Sequence, residues 1–152
     1  MPQEVWSYGG VGLSEFERCL SSGRIQRVDA EMEWVQKELE QANYDLARAR
    51  GSLKRRDYKW AIVQGYYSMF HGAKALVLMA GYREKSHVCL IVALRYLYVA
   101  NGKLDLVHAD HLEQAMGLRN QADYSMEYSG EWARAVVKNA ASFIMATRKA
   151  LR

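Results

Sequence analysis

Residues 58–80, YKWAIVQGYYSMFHGAKALVLMA, constrain this chain more than any other stretch. The run is apolar on nearly every side, and a helix of that kind must be enclosed by others. It is long enough to suggest a membrane crossing. Gln64, His71 and Lys74 interrupt its middle, however, and a charge at mid-membrane depth is expensive. The expectation is therefore the central helix of a bundle, ended by Gly81. The only proline is Pro2, so nothing along the chain removes a backbone donor and long unbroken helices are open to it.

The remaining pattern is helical too. Met32, Val35, Leu39, Ala42, Leu46, Ala49 and Leu53 recur at alternating steps of three and four, which predicts a helix from about 30 to 55 with a heptad-like seam. Glu33 and Lys37 are spaced to pair on its outer face. Ser14 is placed to cap a short helix over 15–22, stopped by Gly23, and Asp57 to cap the central helix. Ser86 is placed to cap a helix over 87–100, closed by Asn101-Gly102. Further helices are expected over 104–123 and 130–150, the last with Trp132, Val136, Ala140, Phe143 and Thr147 or Leu151 in one stripe. No strand pattern, repeat or second domain is visible. The predicted fold is all-α, an antiparallel up-and-down helical bundle with a four-helix core and short extra helices. Residues 1–13 read as a flexible lead-in and 14–152 as a single bundle. Gly9-Gly10-Val11-Gly12 lacks the strand before it and the GK[ST] after it that a phosphate loop requires.

Net charge is +4, and the surplus is uneven. Residues 1–60 hold ten basic and ten acidic side chains, whereas 61–152 hold eleven and seven. That balance suits an anionic ligand or a merely solvated surface. Cys19 and Cys89 lie far apart without a CxxC pair, so two reduced, apolar thiols and a cytoplasmic location are expected. The first ten residues lack the basic-then-apolar pattern of a secretion signal.

Few groups suggest chemistry. His108 and His111, with Asp105 and Asp110 nearby, offer two metal ligands but no third, and exposed helix histidines are the expectation. No cofactor motif or nucleophile–base pair stands out. His71 is expected as a core histidine bonded to a neighbour, or as one facing a ligand. Lys85, Ser86 and His87 meet at a helix start, where free N–H groups suit an anion. Arg119, Asn120, Asp123 and Tyr124 crowd the end of another helix. On a regular helix Arg119 pairs with Asp123, while Arg119 and Tyr124 converge only if the helix distorts or two copies meet.

Three of these segments, in order, resemble the signatures of the HEPN (higher eukaryotes and prokaryotes nucleotide-binding) domain family, small stand-alone prokaryotic type. They are Lys59 to Leu76, Gly81 to His87, and Arg119 to Tyr124. The resemblance covers roughly 14–150. It implies a helical bundle, usually a homodimer, often encoded beside a minimal nucleotidyltransferase as a toxin–antitoxin pair. Active members are metal-independent RNases carrying Arg, four to six residues, then His, with two copies of the motif lining one cleft. Here Tyr124 stands where that histidine would be, and no histidine follows His111. A phenol titrating near 10 is a poor base at neutral pH. The tyrosine that toxins of this family carry two residues further on falls at Met126; Tyr128 is not the matching position.

The sequence therefore predicts a binder of nucleotide or RNA phosphate, not acting as an efficient enzyme, without cofactor or metal, and partnered by a nucleotidyltransferase-domain protein. Arg119 would contact the anion, oriented by Asp123. Asn120 and Tyr124 would reach base or ribose, and Lys85, Ser86 and His87 would form a second contact zone. The alternatives are a weak metal-independent RNase, needing Tyr124 with a lowered pKa or His71 or His87 brought to Arg119, and a structural adaptor using the Met32–Leu53 seam and the 58–80 helix.

Overall fold

The computed structural model describes residues 12–152. The expected lead-in, with its glycine-rich 9–11 stretch, lies essentially outside them. Among the described residues six helices form, in chain order: α1 Leu13–Ser21, α2 Met32–Lys54, α3 Tyr58–Met79, α4 His87–Leu94, α5 Leu106–Asn120 and α6 Gly130–Ala150. Two of them continue into wider π-helical turns, α4 through Arg95–Val99 and α5 through Gln121–Ser125. The all-α bundle is as the sequence predicts.

α3 is the centre. It packs most extensively on α2, then on α6 and α5, and its buried residues run from Ala61 to Leu78 on almost every side. The three-residue link Arg55–Asp57 folds α2 back along it. Two glycines let α6 approach closely. A Cβ on Gly65 would lie 2.7 Å from Val136 Cγ1, and one on Gly72 would lie 3.1 Å from Phe143 Cε1. Gly65 and Gly72 are seven apart, as are Val136 and Phe143, so two turns of one helix seat against two turns of the other. Of the α2 seam, Val35, Ala42, Leu46 and Ala49 are buried, but Met32 at the helix start is exposed. The α6 stripe is buried at Val136, Ala140, Phe143 and Thr147.

Several local expectations need correction. A small sheet exists: β1 Ile25–Arg27 pairs antiparallel with β2 Tyr82–Glu84, Ile25 opposite Glu84. Three residues are too short to show an alternating pattern, and β2 follows Gly81, whose φ of +91° makes the tight exit from α3. Ser14 does not cap α1, which begins one residue earlier with Gly12 at the cap position. Asp57 occupies the α3 cap position without a side-chain bond to the helix, whereas Ser86 does cap α4, accepting from the Cys89 N–H. His108 and His111 are half-buried, not exposed, and each has an enclosed Nδ1 without a partner. Among the described residues, no three His, Cys, Asp or Glu side chains come together to hold a metal.

The cysteines are the largest correction. Cys19 and Cys89 form a disulfide with Cα atoms 5.9 Å apart. The β1–β2 pair draws α1 against α4, and Phe16 stacks at 4.8 Å on Tyr96 in the wide turn that follows α4. A link across 70 residues has no local signature. The cytoplasmic expectation, which leaned on free thiols, loses that support. No described helix is long and apolar enough to cross a membrane.

Candidate functional site

One cluster of polar side chains gathers along one side of α3. Arg119, near the end of α5, sits over Tyr66 and Tyr67, its Cζ 5.8 and 5.3 Å from their ring centroids. Its Nη2 donates to the Tyr67 hydroxyl at 2.9 Å and its Nη1 to Asn120 Oδ1 at 3.3 Å. Nε lies 3.1 Å from Asp123 Oδ2, an ion pair whose angle falls short of a hydrogen bond. A guanidinium has five N–H donors, so one hydrogen on each Nη is left. The side chain is 21% exposed, enough for an anion to reach it. Two aromatic faces and one carboxylate thus hold a cation whose outer donors are free.

Beside it, His87 Nδ1 and the Tyr66 hydroxyl are 2.6 Å apart, and the imidazole lies 4.3 Å from the Phe70 ring centroid. Burial, with smaller pushes from Arg119 and Lys74, lowers the His87 pKa from its ordinary value. Burial, with help from Tyr67 and Glu84 and against the pull of Arg119, drives the Tyr66 hydroxyl well above its usual range. Both groups are therefore neutral at pH 7. Two neutral groups so placed are satisfied when the Tyr66 O–H donates to Nδ1, which leaves the ring proton on Nε2. In that tautomer His87 is a hydrogen-bond donor and not a base.

One turn further along α3, His71 Nδ1 meets Glu38 Oε1 at 2.6 Å, with Asp45 Oδ2 3.7 Å from Nε2. Lys74 Nζ lies 3.3 Å from the other Glu38 oxygen. Burial works to raise the Glu38 pKa, but the bonds and charges of His71 and Lys74 together outweigh it and hold the carboxyl below its ordinary value. Asp45 shows the reverse: burial raises it, against weaker help from His71 and Gln41.

This is a cation framed by tyrosines and a neutral histidine, on a face built by α3 and completed by α4 and α5. A family model described as "HEPN domain" matches residues 35–150, which include every one of these groups. The chain belongs to the HEPN domain family. Two proteins of Methanocaldococcus jannaschii, each named as a putative toxin, are similar to it. One is 28% identical over 121 residues, covering 79% of this chain and 90% of that protein. The other is 26% identical over 119 residues, covering 77% and 81%. A Pyrococcus horikoshii protein of the UPF0332 group is 32% identical over 80 residues, covering 53% and 56%.

Within this HEPN domain the predicted residues divide. Arg119, Asn120 and Asp123 come together, and His87 joins them through Tyr66. His71 reaches them only indirectly, its ring 6.4 Å from that of Tyr67. Tyr124 is 78% exposed and makes no hydrogen bond among the described residues. Ser86 spends its oxygen on the α4 cap. Lys85 is exposed, and its N–H donates to the Arg24 carbonyl beside the small sheet. α5 is wound wide from Gln121 to Ser125, and Met126 leaves it with φ of +53°. The distortion that convergence of positions 119 and 124 demands is therefore present at that spot. The sequence reading missed Tyr66, Tyr67, Lys74 and Glu38 as partners. Tyr67, His71 and Lys74 carry a usable signal, since steps of four and three put them on one helix face. Glu38 carries none.

Proposed function

We propose that this HEPN-domain protein has a toxin-like role in which it binds a nucleotide or an RNA phosphate at Arg119 and works as a homodimer with a nucleotidyltransferase-domain partner. The observation that carries the reading is the Arg119 guanidinium, fixed by Asp123, Tyr67 and Asn120 with outer donors to spare. The Nε2–H of His87 adds a neutral donor beside it. The toxin names of the two archaeal relatives support the role, and the family resemblance supports the partner. Asn120 and exposed Tyr124 would touch base or ribose, with Lys85 at the periphery. The test is equilibrium binding of AMP and of short RNA to the wild-type and Arg119→Ala proteins. A charge-assisted bond contributes about 1.5–3 kcal/mol, so affinity should fall roughly ten- to hundredfold. Equal affinity removes Arg119 from the site. Sedimentation and co-purification with the partner test the assembly.

A second reading, a weak metal-independent RNase, is favoured by one observation: His87 does stand beside Arg119. It would act as a base only if the Tyr66 hydroxyl accepted from Nδ1–H and freed Nε2. RNA incubated in chelator decides it, since cleavage by this site must vanish in both Arg119→Ala and His87→Gln.

A further inference from the structure

The Arg119 site is one end of a longer face. Tyr67, His71, Lys74 and Leu78 follow one another on α3 at steps of four, three and four, about 16 Å along the axis at 1.5 Å per residue. Tyr67 carries Arg119 at the near end. Lys74 and Leu78 open at the far end into a cavity of about 350 Å³, lined also by Trp34, Lys37, Glu38, Arg83 and Glu84. The two ends are joined by side chains in contact. Lys74 Nζ lies 5.5 Å from the Phe70 ring centroid, and Phe70 packs on His87.

The cavity has the parts of a nucleobase pocket. The Arg83 guanidinium lies 4.7 Å from the Trp34 ring centroid, and Trp34 is only partly buried. A planar cation against an indole is a platform on which a base stacks, as single-stranded nucleic acids do on aromatic and guanidinium planes. Its charged lining is Lys37, Lys74, Arg83, Glu38 and Glu84, with Lys37 paired to Glu33 outside it. Glu38 is already matched by Lys74 and His71. Carboxylate oxygens also accept from exocyclic amino groups of bases. At ~3.4 Å per stacked nucleotide, 16 Å corresponds to about five nucleotides.

We infer that Trp34 and Arg83 form a base-stacking subsite, and that the face from Arg119 through Lys74 to Trp34 binds a short single-stranded RNA segment. This deepens the phosphate-binding reading and rests on it. Arg119 takes one phosphate, the Lys74–Glu38 pair lies beneath the backbone, and a base several nucleotides away stacks on the Arg83 guanidinium that covers Trp34.

Labelled hexa-adenylate and AMP are titrated against wild type and the Arg119→Ala, Trp34→Ala, Trp34→Phe and Arg83→Gln proteins, with circular dichroism confirming the fold. Wild type should bind hexa-adenylate more tightly than AMP. Trp34→Ala and Arg83→Gln should each weaken hexa-adenylate about five- to hundredfold, the range for losing one stacked base, and leave AMP unchanged. Trp34→Phe should keep most of the gain. Should Arg119→Ala weaken both ligands while the Trp34 and Arg83 variants match wild type, the subsite is overturned and the Arg119 reading stands. Should hexa-adenylate not bind wild type at all, both fall. Equal losses of AMP and hexa-adenylate on Trp34→Ala would also overturn the subsite, by showing a general structural effect.

Discussion

Reduction of the Cys19–Cys89 bond tests the fold most directly. The bond closes a loop of 70 residues. Loop closure of that length removes about 15 cal/mol/K from the unfolded chain, or about 4.4 kcal/mol at 25 °C, and measured bridges more often contribute about 2–4 kcal/mol. Both cysteines are nearly inaccessible, at 6% and 4% exposure, so reduction leaves two well-packed apolar thiols in place. α1 also keeps its other anchors, Phe16 against Tyr96 and Tyr82, and the β1–β2 pair. The native state should therefore change little, and the loss should lie in the unfolded ensemble. Urea unfolding of oxidised and reduced wild type, followed by circular dichroism, should show equal native helicity. The reduced protein should be about 2–4 kcal/mol less stable, with a steeper dependence on urea because its unfolded chain exposes more surface. For a chain of this size that is roughly 4–16 °C in Tm. A difference under about 0.5 kcal/mol, in protein shown by thiol titration to start oxidised, would refute the reasoning. Two free thiols in protein kept under air would refute the bond itself.

Other outcomes follow from single contacts. Gly65→Ala drives a methyl into Val136 at the α3–α6 crossing and should cost about 1–3 kcal/mol by urea unfolding, whereas Gly117→Ala, with open space around it, should not destabilise. Ser86→Ala removes the α4 cap and should cost about 0.5–2 kcal/mol, measured the same way. His87 and His108 both have pKa values below the ordinary 6.5, chiefly from burial. A group depressed in the folded state contributes stability that is complete above the unfolded pKa and is lost as pH falls. The urea midpoint should thus decline between pH 7.5 and 5.5, and less so in the double variant His87→Gln/His108→Gln. Tyr67→Phe takes one anchor from Arg119 and should weaken AMP binding severalfold in the same titration that tests Arg119→Ala.

The helices were legible because their signals are local. An apolar surface on all sides marks α3, a step of three and four marks α2, and Ser86 announces α4. What the sequence hid depends on distance along the chain. The sheet pairs residues 25–27 with 82–84, the disulfide joins 19 to 89, and Glu38 meets His71 from another helix. None of these leaves a mark within a turn of either partner. The site was half legible for the same reason. Arg119 and Asp123 pair within one helix, as spacing predicts. His87 stands at a helix start, as its place after Ser86 predicts, but its partner Tyr66 lies 21 residues earlier.

The wide turn at Gln121–Ser125 bears on how such motifs are counted. Each residue of an α-helix advances about 100°, so a turn that takes up one residue more rotates everything after it by that amount. The interval between an arginine and the side chain five places on is then not a fixed angle. In this chain the wide turn over Gln121–Ser125 sets that angle. Met126, with its left-handed backbone, closes that turn, and α6 starts four residues after it under its own Ser129 cap.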